Sequence, residues 1–348
     1  NGHSMSGNSR WGQRYMRAFS HLPLLHLDQP KTALVICFGV GSTLHAASLH
    51  SSLERLEVVD ISRDILEHAG YFKATNHDVL HDERVEVFVN DGRLHLWMQP
   101  ERSYDLVTLE PPPISFSGVS ALYTRDFYAL VHSRLKEGGF MSQWLPGYQV
   151  PGPIALALVR AFVEVFPDSI LLSGAGPELI MIGRKGGSVT LDPVHLAEAL
   201  RENPNVVEDL KAIHMGSLID MLGAFAASGE TMAEISEGFP AVTDDFPIME
   251  YAVTSRFHES RMPPALFRND TVASWCPSCF RDGALLPELA NLPAYLRIQA
   301  AYFRSPAFLD YNYYEHSQST AVALPSDNAA LKCLNESPFL TEFFLKVN

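Results

Sequence analysis

The sequence predicts a mostly parallel, doubly wound α/β sheet closed by an antiparallel hairpin and followed by a helical C-terminal appendage. Three observations predict it. First, β-rich runs alternate with helical patterns from Lys31 to about Arg184, and that order buries a parallel sheet between helices. Second, Ser169–Ser173 and Glu178–Gly183 are separated only by Gly174-Ala175-Gly176-Pro177, and strands joined so tightly must run antiparallel. Third, the 348 residues are 47% hydrophobic and 19% charged, which suits a globular chain with a real core and excludes wholesale disorder.

The elements follow in order. Trp11, Tyr15, Phe19 and Leu22 recur at helical spacing, and Pro23 and Pro30 punctuate the exit. Ala33–Phe38, Arg55–Asp60, Arg84–Val89, Tyr104–Leu109 and Gly139–Leu145 read as strands. Helices are expected near Ser42–His50, Ser62–Phe72 and Gly92–Met98. Tyr123–Leu135 places Phe127, Leu130, Val131 and Leu135 on one face, with Gly138-Gly139 as its stop. Pro153–Phe166 is another apolar helix, ended by Pro167. Residues 188–237 read as helical, 240–251 as an acidic loop, and 263–348 as a Pro/Cys-rich loop with helices such as Leu285–Phe303. The expected domains are a leading segment at 1–28, a Rossmann-like nucleoside-binding domain at 29–187, a helical and acidic-loop extension at 188–262, and the appendage at 263–348.

Composition narrows the function. A net charge of −14 argues against a phosphate-backbone binder, so no nucleic-acid partner is expected. The longest apolar run, Ala33 to Val40, is strand-length, far from the ~20 residues that span a bilayer. Four cysteines are too few for a disulfide scaffold and favour a reducing, cytoplasmic compartment. The chain opens on Asn1 without a signal pattern and reads as a fragment of a longer protein.

The chemistry-bearing residues sit at strand ends. The first strand runs into Cys37-Phe38-Gly39-Val40-Gly41-Ser42-Thr43. Gly39 and Gly41 let backbone approach a ligand, and the following helix offers unpaired N–H groups. Leu44 occupies the position of the third glycine in a dinucleotide fingerprint. Asp60 ends the second strand, where an acid can accept both ribose hydroxyls, with Ile61 beside it. Asp91-Gly92 ends the third, where an acid can reach an adenine amine. Asp60 and Asp91 could equally be helix caps. Together, these strand ends and the closing hairpin point to an S-adenosylmethionine-type Rossmann fold rather than a dinucleotide dehydrogenase.

Several segments resemble the spermidine synthase (polyamine aminopropyltransferase) family. They are Tyr15-Met16-Arg17 with His21-Leu22-Pro23-Leu24, the loop Cys37–Ser42, Asp60, Asn90-Asp91-Gly92-Arg93, Leu122–Tyr128, and Leu135–Gly139. Glu110-Pro111-Pro112 with Gly118-Val119, and Gln143-Trp144-Leu145-Pro146, are similar to a bacterial branch often fused behind membrane helices. The resemblance covers roughly 1–183 and places Asn1-Gly2 at the end of an N-terminal β-domain, of which 1–28 would be the remnant. It implies decarboxylated S-adenosylmethionine (or S-adenosylmethionine) as co-substrate and no permanently bound cofactor or metal. It also implies a small-molecule amine as partner, a homo-oligomer, and a tether to the inner membrane in the full-length protein. Glu110 falls on the family's catalytic Asp, and Tyr15, Tyr123 and Gln143 fall on segments bordering the acceptor pocket.

The departures fall on the acceptor side. The family's second strand-end Asp is Pro113, its loop Asp is Val40, and its diamine-anchoring Glu is Arg17. A dication in a partly desolvated pocket needs carboxylates, so putrescine is expected to be a poor acceptor. Asp244 and Asp245, in the loop ending at Glu250-Tyr251, could return acids to the pocket or cap a solvated turn. Cys276-Pro277-Ser278-Cys279 is open to a structural loop, a zinc site or a redox pair. None of the fourteen histidines is assigned to catalysis. The expected activity is aminopropyl transfer to an amine. The alternatives are an S-adenosylmethionine-dependent methyltransferase and a non-catalytic nucleoside-sensing domain of a membrane protein.

Overall fold

The computed structural model describes residues 7–113, 116–252, 262–267, 272–309 and 322–345. Eight strands form one sheet: β1 Thr32–Ile36, β2 Arg55–Asp60, β3 Val85–Val89, β4 Tyr104–Leu109, β5 Leu135–Leu145, β6 Ile170–Ala175, β7 Glu178–Arg184 and β8 Phe225–Ser228. Their order is β3-β2-β1-β4-β5-β7-β6-β8. The strands from β3 to β5 pair in parallel, and β7, β6 and β8 add antiparallel. The expected parallel sheet with a terminal hairpin is therefore present, with the chain reversing at β1 to open a crevice at the carboxyl edge.

The helices as far as residue 212 are α1 Arg10–Leu24, α2 Ser42–Ser48, α3 Arg63–Glu67, α4 Lys73–Asn76, α5 Gly92–Met98, α6 Arg125–Arg134, α7 Gly152–Val163, α8 Pro193–Glu202 and α9 Pro204–Ala212. They cover both faces. One core cluster packs α6 and α7 against Leu109, Met141 and Leu145. The other packs α1 against Val35, Phe140, Trp144 and Ile180. The C-terminal helices Leu292–Phe303 and Asn328–Glu336 bring Tyr295, Phe303 and Leu334 into the first cluster, so the appendage shares the sheet's core.

Two expectations change. Residues 188–237 are not all helical, because Phe225–Ser228 adds an edge strand to β6. Its short Phe-Ala-Ala-Ser sequence carries no strand signal of its own; pairing across the sheet decides it. Gly138-Gly139 does not stop α6. That helix ends at Arg134, and Leu135 already begins β5. Pro23 does stand at the exit of α1, which ends at Leu24. Cys276 and Cys279 are joined as a disulfide, both buried. Among the described residues, no group of three or more His, Cys, Asp or Glu could hold a metal ion. No helix among them is long and apolar enough to cross a membrane.

Candidate active site

The ends of β1, β2, β3 and β4 meet along one edge of the sheet. After β1, Cys37 takes a left-handed backbone (φ 69), then Gly39 (φ 57) and Gly41 (φ 84) turn the chain into α2. Asp60 clasps this turn: Oδ2 accepts from the Phe38 N–H at 2.8 Å and Oδ1 from the Ser62 N–H at 2.9 Å. It is 6% exposed, so it joins two strand-end turns whatever else it binds. Ile61 next to it is 73% exposed, an apolar surface open to a flat ligand. Asn76, absent from the sequence reading, props the glycine loop from below, donating to the carbonyls of Val40 and Ala69. Its signal is weak, because a lone Asn in a helix more than thirty residues away carries no motif.

Asp91 is the N-cap of α5, with Oδ1 accepting from Leu94 N–H at 2.7 Å. That is the helix-cap role left open by the sequence, and the exposed carboxylate keeps a second oxygen for a ligand. Gly92 packs on β1: a Cβ there would stand 2.4 Å from Ile36 Cγ2. Close helix–strand packing thus accounts for this glycine.

Glu110 follows β4 and is half-buried. The Tyr15 hydroxyl of α1 donates to its Oε1 at 2.5 Å. Among the described residues Glu110 has no salt-bridge partner, and its Oε2 makes no hydrogen bond. Burial pushes its carboxyl up to about 8, the Tyr15 hydrogen bond opposes that rise, and the charge of Glu178 adds to it. Burial, then the neighbouring Glu110, holds the Tyr15 phenol well above its ordinary value. Half-buried, free Cys37 lies among Asp60, Glu110 and Asp91, so these acids converge on one place.

Tyr123 and Gln143 are wholly buried on the α6 side of the sheet. Gln143 Nε2 donates to Leu122 O at 3.0 Å. The Tyr123 hydroxyl lies against the Gln143 amide outside hydrogen-bond geometry, leaving that hydroxyl and Gln143 Oε1 without partners. They back Glu110 and present no surface to solvent.

The acceptor-side substitutions are placed clearly. Val40 is buried in the α1-side core rather than facing the crevice. Arg17 turns to Asp209 of α9, with Nη1 at 2.7 Å from Oδ1. His21 meets the same carboxylate at 2.9 Å and His45 at 3.6 Å. Burial opposes ionisation of Asp209, but hydrogen bonds from His21 and His45, with the Arg17 charge, hold it well below the usual carboxylate range. Asp244 and Asp245 do not rebuild the pocket. Asp244 pairs with Arg93 and accepts from Thr124, Asp245 is exposed, and Glu250 accepts from Gly118 N–H and Ser120. These contacts fasten the acidic loop to α5 and α6 instead.

The acid that does approach Glu110 is Glu178, the first residue of β7. Its Oε2 accepts from Trp144 Nε1 at 2.6 Å and its Oε1 from the Tyr148 hydroxyl at 2.9 Å. Burial pushes its carboxyl up to about 7, against both hydrogen bonds. An acid beginning an otherwise apolar strand was the only sequence signal for it.

The fold brings the strand-end acids Asp60, Asp91 and Glu110 together along the carboxyl edge of the parallel strands. Residues 12–144 match the spermine/spermidine synthase domain. Polyamine aminopropyltransferase 2 of Pseudomonas aeruginosa is 36% identical over 129 residues, 34% of this chain and 34% of that protein. Polyamine aminopropyltransferase of Bacillus mycoides is 30% identical over 164 residues, 47% of this chain and 58% of that protein. The chain thus spans between a third and three fifths of the length of these relatives. Among solved structures, spermidine synthase from Thermotoga maritima aligns with a TM-score of 0.46 at 22% identity, covering 55% of this chain and 65% of that one.

Proposed function

We propose that this protein transfers an aminopropyl-type group from decarboxylated S-adenosylmethionine to an amine, with Glu110 as proton acceptor. The observation that carries the reading is Glu110 itself: a half-buried carboxyl with no cationic partner among the described residues, at the crevice edge that Asp60 and Asp91 share. The donor's nucleoside would rest against Ile61, with its ribose toward Asp60 and its adenine toward Asp91. The exposed apolar Ile61 side chain and the free oxygen of Asp91 suit that ligand.

The step is a displacement at carbon. The amine lone pair forms a C–N bond to the carbon beside the sulfonium. The C–S electron pair leaves with sulfur, giving the neutral thioether methylthioadenosine. The proton shed by the new ammonium passes to Glu110. A carboxyl raised by burial is a stronger base than an ordinary one, and orientation within the crevice supplies much of the remaining rate. Arg17, Val40 and Pro113 keep the substituted family positions free of acid.

The test combines calorimetry with a transfer assay. Decarboxylated S-adenosylmethionine should bind more tightly than S-adenosylmethionine, and incubation with an amine panel should release methylthioadenosine. Preference for the carboxylated donor with methyl transfer would replace this reading by a methyltransferase. Binding of none of these nucleosides would remove the site.

A further inference from the structure

The acceptor side of the crevice contains one acid that no family position predicts, and the sheet register explains how it gets there. Leu109 of β4 lies opposite Gln143 of β5, and Trp144 of β5 lies opposite Ile180 of β7. Side chains alternate along a strand, so Trp144, Ile180 and Glu178 share one face. Trp144 and Ile180 pack there with Tyr15 and Phe19 of α1. Glu110, one residue beyond Leu109, turns to that same face and meets Tyr15. Because β7 is antiparallel to β5, its first residue lies at the carboxyl edge of the parallel strands, two strands from Glu110.

The hairpin closes on α1 at this point. Gly174 permits the approach, since a Cβ there would stand 2.2 Å from Tyr15 Cβ. Tyr15 therefore sits between the hairpin and Glu110, within reach of both carboxylates' charge. Every hydrogen-bond donor to the two acids among the described residues is neutral: Tyr15 for Glu110, Trp144 and Tyr148 for Glu178. Neither acid has an arginine or lysine partner among those residues. On the other side of Glu110, the wholly buried Tyr123 hydroxyl feels its charge yet has no hydrogen-bond partner. Two half-buried carboxyls without a cation among the described residues, one of them with a free oxygen and near an unsatisfied hydroxyl, offer a place for a cationic ligand.

We infer that Glu178 is the specificity-determining acid of the acceptor pocket, pairing with a second, protonated nitrogen of the amine while Glu110 serves the attacking one. This rests on the aminopropyl-transfer reading for its chemistry but on the register for its placement. It also reverses the expectation that putrescine is a poor acceptor, because one lost acid is replaced from a different strand. Burial penalises the ionised form of both carboxyls, and a dication, which can pair with both, offsets that penalty more than a monocation can.

The experiment measures binding separately from turnover. Protein saturated with methylthioadenosine is titrated calorimetrically with putrescine and with butylamine, which differ by one ammonium. The wild type should bind putrescine at least about tenfold more tightly. Glu178→Gln should weaken putrescine by about 10- to 100-fold, the scale of one charged hydrogen bond, and leave butylamine within about threefold. Glu178→Asp should recover part of the putrescine affinity, and methylthioadenosine affinity should be unchanged in all three proteins. No preference for the diamine in the wild type overturns the inference, even if the Gln variant fails to fold. So does an equal loss for both amines, or no loss for either. A diamine preference without aminopropyl transfer would refute the proposed activity and leave Glu178 assigned. Transfer to both amines alike would do the reverse.

Discussion

Tyr15→Phe tests the Glu110 assignment at the level of a single hydrogen bond. The Tyr15 hydroxyl donates to Glu110 Oε1 at 2.5 Å and so favours the ionised carboxylate. Burial acts in the opposite direction and wins, which sets the carboxyl at about 8. A hydrogen bond to a charged group contributes about 1.5–3 kcal/mol, and each pKa unit corresponds to about 1.4 kcal/mol. Removing the hydroxyl should therefore raise the Glu110 carboxyl by about one to two units. The assay is the pH dependence of kcat/KM, which reports the free enzyme. The rising limb should move to higher pH by that amount, with activity on the acid side falling about 10- to 100-fold and recovering at alkaline pH. The acceptor amine titrates identically for both enzymes, so the displacement between the two profiles belongs to the protein. A limb that stays in place, or that moves to lower pH, would show that Glu110 is not the proton acceptor.

Further outcomes follow from the same geometry. Glu110→Gln should lower kcat by about 10²–10⁴ while preserving methylthioadenosine affinity, measured by steady-state kinetics and calorimetry. Its stability should also change with pH. The folded carboxyl sits near 8 against an ordinary 4.5, so the wild type binds the extra proton when folded and loses stability as pH rises through that window. Thermal melts should show the Gln variant level with the wild type near pH 5 and more stable above pH 8, on the order of the cited window. Asp60→Ala should cost about 3 kcal/mol in urea unfolding, because the Phe38 and Ser62 N–H groups both lose a charged acceptor. A stable Asp60→Ala protein would show that the clasp is dispensable. Asp209→Asn should destabilise by about 3–5 kcal/mol, since Arg17 keeps its buried charge without a counter-ion. Retained stability would mean that water or another group takes the place of Asp209.

Much of this protein is legible without coordinates because much of it is local. The alternation of β1, β2, β3 and β4 with helices is written in short-range periodicity, and a parallel sheet imposes helices on both faces. Strand ends are equally local, so Asp60, Asp91 and Glu110 can be placed on one edge once the parallel order is accepted. The roles of those residues are less local. Asp60 was open to ribose binding or capping, and only the approach of the β1 turn shows it clasping two N–H groups. Gly92 resembled part of a ligand-binding turn, and only the position of Ile36 shows what its missing Cβ makes room for.

What tertiary structure alone decided are the pairings made across large sequence separations. Arg17 replaces an acid in the sequence pattern, but its partner, Asp209, lies on a helix folded back from beyond the sheet. The acidic loop was the natural place to seek a lost carboxylate, yet Arg93 and Thr124 hold Asp244 elsewhere. Glu178 reaches the crevice because β7 enters between β5 and β6 and runs antiparallel. That insertion carries the start of a strand to the end where its parallel neighbours finish. Side-chain chemistry is encoded residue by residue, but which charges share a crevice depends on strand order. Strand order is settled by long-range packing that no local window of sequence contains.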